Sequence, residues 1–111
     1  MLIYKIFTAD QWAALDETGE TAGAPVDLAD GFIHFSTAAQ ASETAAKHFT
    51  GQTGLVLAAV DAEGLGDALK WEPSRGGALF PHLYASLRRE DVVWAKDLPL
   101  GSAGHVFPVL P

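Results

Sequence analysis

The chain has 111 residues, 49% of them hydrophobic, with no cysteine and a formal net charge of −7. That length fits a single domain spanning 1–111 with a core of its own; the composition argues against disorder, and the lack of cysteine excludes disulfides, thiol nucleophiles and thiolate metal sites. The 14 acidic residues outnumber the 7 basic ones, which leaves no basic face for counterion release and makes RNA and DNA unexpected partners.

In chain order, Met1 to Phe7 predicts a strand with Ile3, Lys5 and Phe7 on one face and Leu2, Tyr4 and Ile6 on the other. No apolar run reaches the length of a membrane span, and the N-terminus lacks the basic-then-apolar layout of a signal peptide. A membrane is therefore not an expected partner, and the cytoplasm is the expected compartment. Thr8-Ala9-Asp10-Gln11 has the capping-box spacing. It should open a helix running to about Asp16 or Glu17, burying Trp12 and Leu15 and stopped by Gly19. From Gly19 to Asp30 the small, polar and turn-forming residues predict an ordered surface loop.

Gly31-Phe32-Ile33-His34-Phe35-Ser36-Thr37 predicts a short strand entering a helix. Ile33 and Phe35 face the core; Phe32, His34 and Ser36 face the other way, with His34 and Ser36 about 7 Å apart. Thr37-Ala38-Ala39-Gln40 repeats the capping-box pattern, so a polar strand face ends at a helix N-terminus, where anions and polar ligands bind. The second helix should span Ala38 to Phe49 with Ala38, Ala41, Ala45 and Phe49 inward, Lys47 and His48 in its last turn, and Gly51 beyond it. Leu55 to Val60 is a continuous apolar run, the pattern of a central strand covered on both faces.

Asp61 to Asp67 should turn the chain, Ala68 to Glu72 form a short strand, and Pro73 to Gly77 form a loop. Phe80 to Leu87 predicts a strand with Phe80, His82 and Tyr84 on one face. Pro81, which cannot donate to a ladder, places that strand at an edge or marks an irregular end. Val92 to Ala95 and His105 to Leu110 complete the predicted strands, with a turn over Pro99 to Gly104. The fold class this implies is α+β: a split or bent, mostly antiparallel sheet with two main helices.

Three places hold polar groups that a plain core does not need: His34 with Ser36, Trp71-Glu72 with the Ser74-Arg75-Gly76-Gly77 loop, and His82 with Tyr84. His34 can exchange a proton near neutral pH or donate to a phosphate or amide. It is equally well a satisfied, partly buried strand residue. Ser36 can hold a phosphate or carboxamide, or merely serve helix entry. Arg75 suits a bidentate contact with phosphate or carboxylate, whereas Glu72 and Arg75 as a simple ion pair across a turn is the plainer reading. Gly76 and Gly77 are turn residues first. Trp71, Phe80 and Tyr84 can stack on a flat ring, with Tyr84 alternatively a core aromatic whose hydroxyl sits at the rim.

Taken together, Ile3-Tyr4-Lys5-Ile6, Asp30 to Thr37, Leu55 to Asp61, and Trp71-Glu72-Pro73-Ser74-Arg75-Gly76-Gly77 running on to Phe80-Pro81-His82-Leu83-Tyr84 resemble domain of unknown function family 952, a bacterial and plant family. The resemblance implies a fold like that of the ADP-ribosyltransferase superfamily: a split, mostly antiparallel sheet with helices packed on it, around a cleft that binds NAD. It also implies that Lys5 stands where the superfamily has a His or Arg gripping the NAD ribose or carboxamide. Glu72 is the nearest candidate for the superfamily's catalytic carboxylate. The function expected is binding of NAD, as a substrate, or of a related phosphorylated nucleotide, with action on its ribosyl bond. In that reading His34, Glu72 and His82 carry chemistry, and Lys5, Ser36, Trp71, Arg75, Gly76, Gly77 and Tyr84 bind. Two alternatives stay open: a non-catalytic module for a small metabolite, and a metal-dependent enzyme using His34, His82 and Glu72 as a two-His-one-carboxylate set.

Overall fold

Two three-stranded antiparallel sheets meet at one backbone bridge, and that junction positions everything of functional interest. The computed structural model describes residues 1–111, the side chain of Arg75 excepted. Its larger sheet orders β1 (Leu2–Phe7), β4 (Leu55–Asp61) and β8 (Val92–Leu98) with β4 central, as its unbroken apolar run predicts. The second sheet orders β3 (Ile33–His34), β6 (Ala78–Leu83) and β5 (Leu69–Ser74). Tyr4 and Ser36 pair across the gap, the Tyr4 N–H donating to the Ser36 carbonyl at 2.7 Å and the Ser36 N–H to the Tyr4 carbonyl at 2.8 Å. The bridge sets Lys5 beside the end of β3.

The two faces of β1 divide the core as its alternation predicts. Ile3 and Phe7 join Leu15, Ile33, Phe35, Val60, Leu83 and Leu87 on one side; Tyr4 and Ile6 join Ala41, Ala45, Leu57 and Leu98 on the other. Helix α1 (Ala9–Thr18) begins at a complete capping box: the Gln11 N–H donates to Thr8 Oγ1 and the Thr8 N–H to Gln11 Oε1. Short β2 (Glu20–Thr21), which pairs with β7 (Leu87–Arg88), and α2 (Pro25–Asp30) come next. Helix α3 (Ala38–His48) lays its Ala41 and Ala45 face on the larger sheet; the Thr37 N–H before it donates to Gln40 Oε1. A 3₁₀ segment covers Ala62–Ala68, and β9 (Leu100–Gly101) pairs with β10 (Gly104–His105).

Four expectations need correction. The predicted loop from Gly19 to Asp30 contains β2 and a third helix. Pro25 at the first helical position and Gly31 in the left-handed region after the last turn are ordinary helix signals. They are hard to see in sequence because Ala24 has no capping side chain and the helix is only six residues long. Pro81 does not lie at an edge, since β6 is the central strand of its sheet. Its missing N–H would face the side of its carbonyl, and that carbonyl accepts from the Phe35 N–H at 3.0 Å just past the end of β3, where the ladder has ended anyway. The strand predicted to Leu87 breaks after Leu83 and resumes as β7. Of the predicted last strand, only His105 is paired; Phe107 and Leu110 pack on the second core cluster from irregular chain.

Candidate functional site

Asp27, from the unexpected helix α2, organises the site. Its Oδ1 accepts from the His34 backbone N–H at 3.1 Å and contacts His34 Nδ1 at 2.6 Å. Its Oδ2 accepts from the Ala24 N–H at 2.7 Å and from Lys5 Nζ at 2.9 Å. Only 1% of Asp27 is exposed. Burial pushes its carboxyl up, but the hydrogen bond from His34 and the Lys5 ammonium outweigh it and hold the group at about 2. Lys5 is buried too; burial pushes its ammonium below the ordinary lysine range, against the pull of Asp27. Its Nζ also donates to the His34 carbonyl at 3.3 Å. The outer nitrogen of His34, Nε2, lies 2.9 Å from Asp30 Oδ2.

A second imidazole sits beside the first, because His34 pairs directly with His82 across β3 and β6. The two rings meet edge-on at 5.4 Å. His82 is 4% exposed, and Phe32 stacks on it at 4.1 Å while also touching His34 and Tyr84. Glu72 Oε1 contacts His82 Nδ1 at 2.8 Å and accepts from the Tyr84 hydroxyl at 2.7 Å. Those bonds, Tyr84 first and His82 second, hold the Glu72 carboxyl below its usual range, and Glu72 in turn pushes the Tyr84 hydroxyl up.

Between these groups lies a cavity of about 520 Å³, walled by β1, the start of α2, the β3–α3 junction, the inner face of α3 and the His82 end of β6. Lys5, Asp27, Asp30, His34, Ser36 and His82 all line it. Ser36 Oγ bonds to Thr44 Oγ1 at 2.8 Å. Tyr4 also lines the cavity, and its hydroxyl is buried with no hydrogen-bond partner among the described residues.

With this arrangement in view, the comparisons place the chain. The family described as "Protein of unknown function (DUF952)" matches residues 6–95. The chain belongs to the DUF952 family. It is similar over almost its whole length to protein CC0527 from Caulobacter crescentus. The X-ray crystal structure of that protein is 55% identical, with a TM-score of 0.91, covering 95% of this chain and 92% of that one. Its solution NMR structure is 56% identical, with a TM-score of 0.85, covering 94% and 90%. No curated protein matches.

In this DUF952 chain the fold brings together some of the residues singled out in the sequence and separates others. His34, Ser36, Lys5 and His82 share the cavity. Glu72 and Tyr84 adjoin His82 but are not among the residues that line the cavity. Trp71 lies on the opposite face of the second sheet: it pairs with Pro81, while His82 pairs with Lys70, and side chains alternate along a strand. It borders a separate shallow hollow with Met1, Glu63 and Leu69. Gly76 and Gly77 form the turn between β5 and β6 and do not line the cavity, although Ser74 does. The side chain of Arg75 lies outside the described residues. Among the described residues, no group of three His, Asp or Glu side chains is placed to hold a metal ion, so the His34, His82 and Glu72 set does not assemble as ligands. Sequence reasoning missed Asp27, Asp30 and Thr44. The available signal was the Pro25-x-Asp27 start of a helix ended by Gly31, with a carboxylate one element upstream of His34.

Proposed function

We propose that this cleft binds NAD or a related phosphorylated nucleotide and acts on its ribosyl bond. The observation that carries the reading is convergence: side chains from β1, α2, β3 and β6, far apart in the chain, share one cavity large enough for a small ligand. A concave wall that joins a few fixed polar groups to apolar side chains suits a heterocycle with polar substituents. Asp30, the half-exposed carboxylate at the rim, supports the positive charge that develops on a ribosyl carbon as its bond to nitrogen breaks. Two antiparallel sheets joined by a single bridge, with helices packed on them, support an ADP-ribosyltransferase-like layout. Fold kinship alone carries little about activity, so the site bears the weight.

The test is ligand-induced stabilisation by NAD and by ADP-ribose, followed by chromatography of the incubated nucleotide for free nicotinamide. At a hundredfold excess over Kd, binding adds about 2.7 kcal/mol of stability, a rise in Tm of several degrees or more for a domain of this size. His34→Ala should remove that rise. A wild-type chain that gains nothing, or a variant that gains as much, overturns the reading.

One observation favours a second reading, a binding module without turnover. Both ring nitrogens of His34 are engaged by carboxylates, which suits a fixed wall of the pocket better than a group that passes protons. A ligand recovered unchanged after long incubation supports that alternative.

A further inference from the structure

We infer that His82 is the general base of this cleft, taking a proton from an oxygen nucleophile, with Glu72 and Tyr84 as positioning residues. The inference rests on the ribosyl reading above and adds to it the group that would take the proton when the nucleophile is water or another hydroxyl.

Tyr84 and His82 both reach the same oxygen of Glu72. A phenol bonded to that oxygen donates its hydrogen, so Glu72 serves as an acceptor, and its lowered carboxyl range agrees with an ionised group. A carboxylate cannot donate, so the hydrogen in the contact with His82 belongs to Nδ1. The neutral ring then carries its lone pair on Nε2. His82 lines the cavity, and its Nε2 is not sealed in the core, since the Tyr4 hydroxyl is the one buried side-chain polar atom without a partner among the described residues. Among the described residues no other hydrogen bond reaches the His82 ring. Phe32 stacked at 4.1 Å and 27° fixes the plane of the ring, and the Tyr84 hydroxyl fixes the carboxylate. His34 has neither ring nitrogen free. Between His34 and His82, His82 is the one arranged to accept a proton.

With NAD and water the step balances. His82 Nε2 takes a proton from water while the water oxygen bonds to the ribosyl carbon. The bond from that carbon to the pyridinium nitrogen breaks, and its electron pair stays on the nitrogen. Neutral nicotinamide and ADP-ribose leave, and the imidazolium returns its proton to solvent.

Two measurements test this. Nitrogen-15 NMR of the wild-type histidines should show His82 as the Nδ1–H tautomer, and Glu72→Gln should mix the tautomers; an Nε2–H ring in the wild type overturns the inference without any variant. In nicotinamide release from NAD, His82→Gln should lower kcat about a hundredfold with KM little changed. Tyr84→Phe should lower kcat less. Release that survives His82→Gln overturns the base role alone. No release by the wild-type chain overturns the ribosyl reading and the base role with it.

Discussion

Asp27 grips His34 twice with one oxygen, through the backbone N–H at 3.1 Å and the ring nitrogen Nδ1 at 2.6 Å. Backbone position and ring orientation are thereby set by one carboxylate, itself neutralised by Lys5 from another strand. The pair ties α2, β1 and β3 into one wall of the cavity. Disturbing it should cost stability and geometry together.

Asp27→Asn removes the charge facing buried Lys5 and leaves that ammonium without its counterion. Breaking a buried pair from one side costs about 3–5 kcal/mol. Urea unfolding followed by fluorescence should show a loss of that order at neutral pH. A loss below about 1 kcal/mol would mean that the pair contributes little.

Acid should weaken the wild-type chain through the same residue. The folded-state carboxyl of Asp27 lies at about 2 against an ordinary 3.8. Its contribution is therefore complete above about pH 5 and drains away as pH falls towards 2. The difference corresponds to about 2 kcal/mol. Stability measured against pH should show the wild type losing its advantage over Asp27→Asn across that window; parallel curves would remove Asp27 from the acid transition.

Gly23 approaches Asp27 too closely for any side chain. A Cβ built there would lie 2.5 Å from the Asp27 Cβ and 2.6 Å from its Oδ2, at a φ of +111°. Gly19, at φ +88°, has nothing within 4 Å. Gly19→Ala should therefore cost only the left-handed backbone penalty, about 1–2 kcal/mol. Gly23→Ala should cost clearly more and also disturb the His34 NMR signals, because the pinned carboxylate cannot step aside. Equal costs would show that Asp27 has room to move.

Phe32→Leu keeps an apolar side chain but removes the ring stacked on His82. The expected loss is about 0.5–1.5 kcal/mol in thermal denaturation, together with a displaced ring-proton signal for His82. An unmoved His82 signal would show that Phe32 does not fix the ring.

Much of the scaffold was legible in local pattern. Period-two alternation divided β1 between two core faces, the unbroken run at Leu55–Val60 marked a central strand, and capping spacing located α1 and α3, with small inward residues marking α3. Helix α2 escaped because six residues offer little periodicity, and with it went Asp27. The strand predicted over His105–Leu110 failed because pairing needs a partner edge, and the tail lies against apolar side chains instead.

By itself the sequence determined which side chains were able to do chemistry and which strand faces they occupied, since residue type and two-residue alternation are properties of the local chain. Only the tertiary structure decided which of them meet. The Tyr4–Ser36 bridge and the His34–His82 register brought Lys5, Asp27, His34 and His82 to one cavity and left Trp71 on the far face. Strand pairing over long sequence separation depends on how distant apolar faces are buried together, and no local pattern records that.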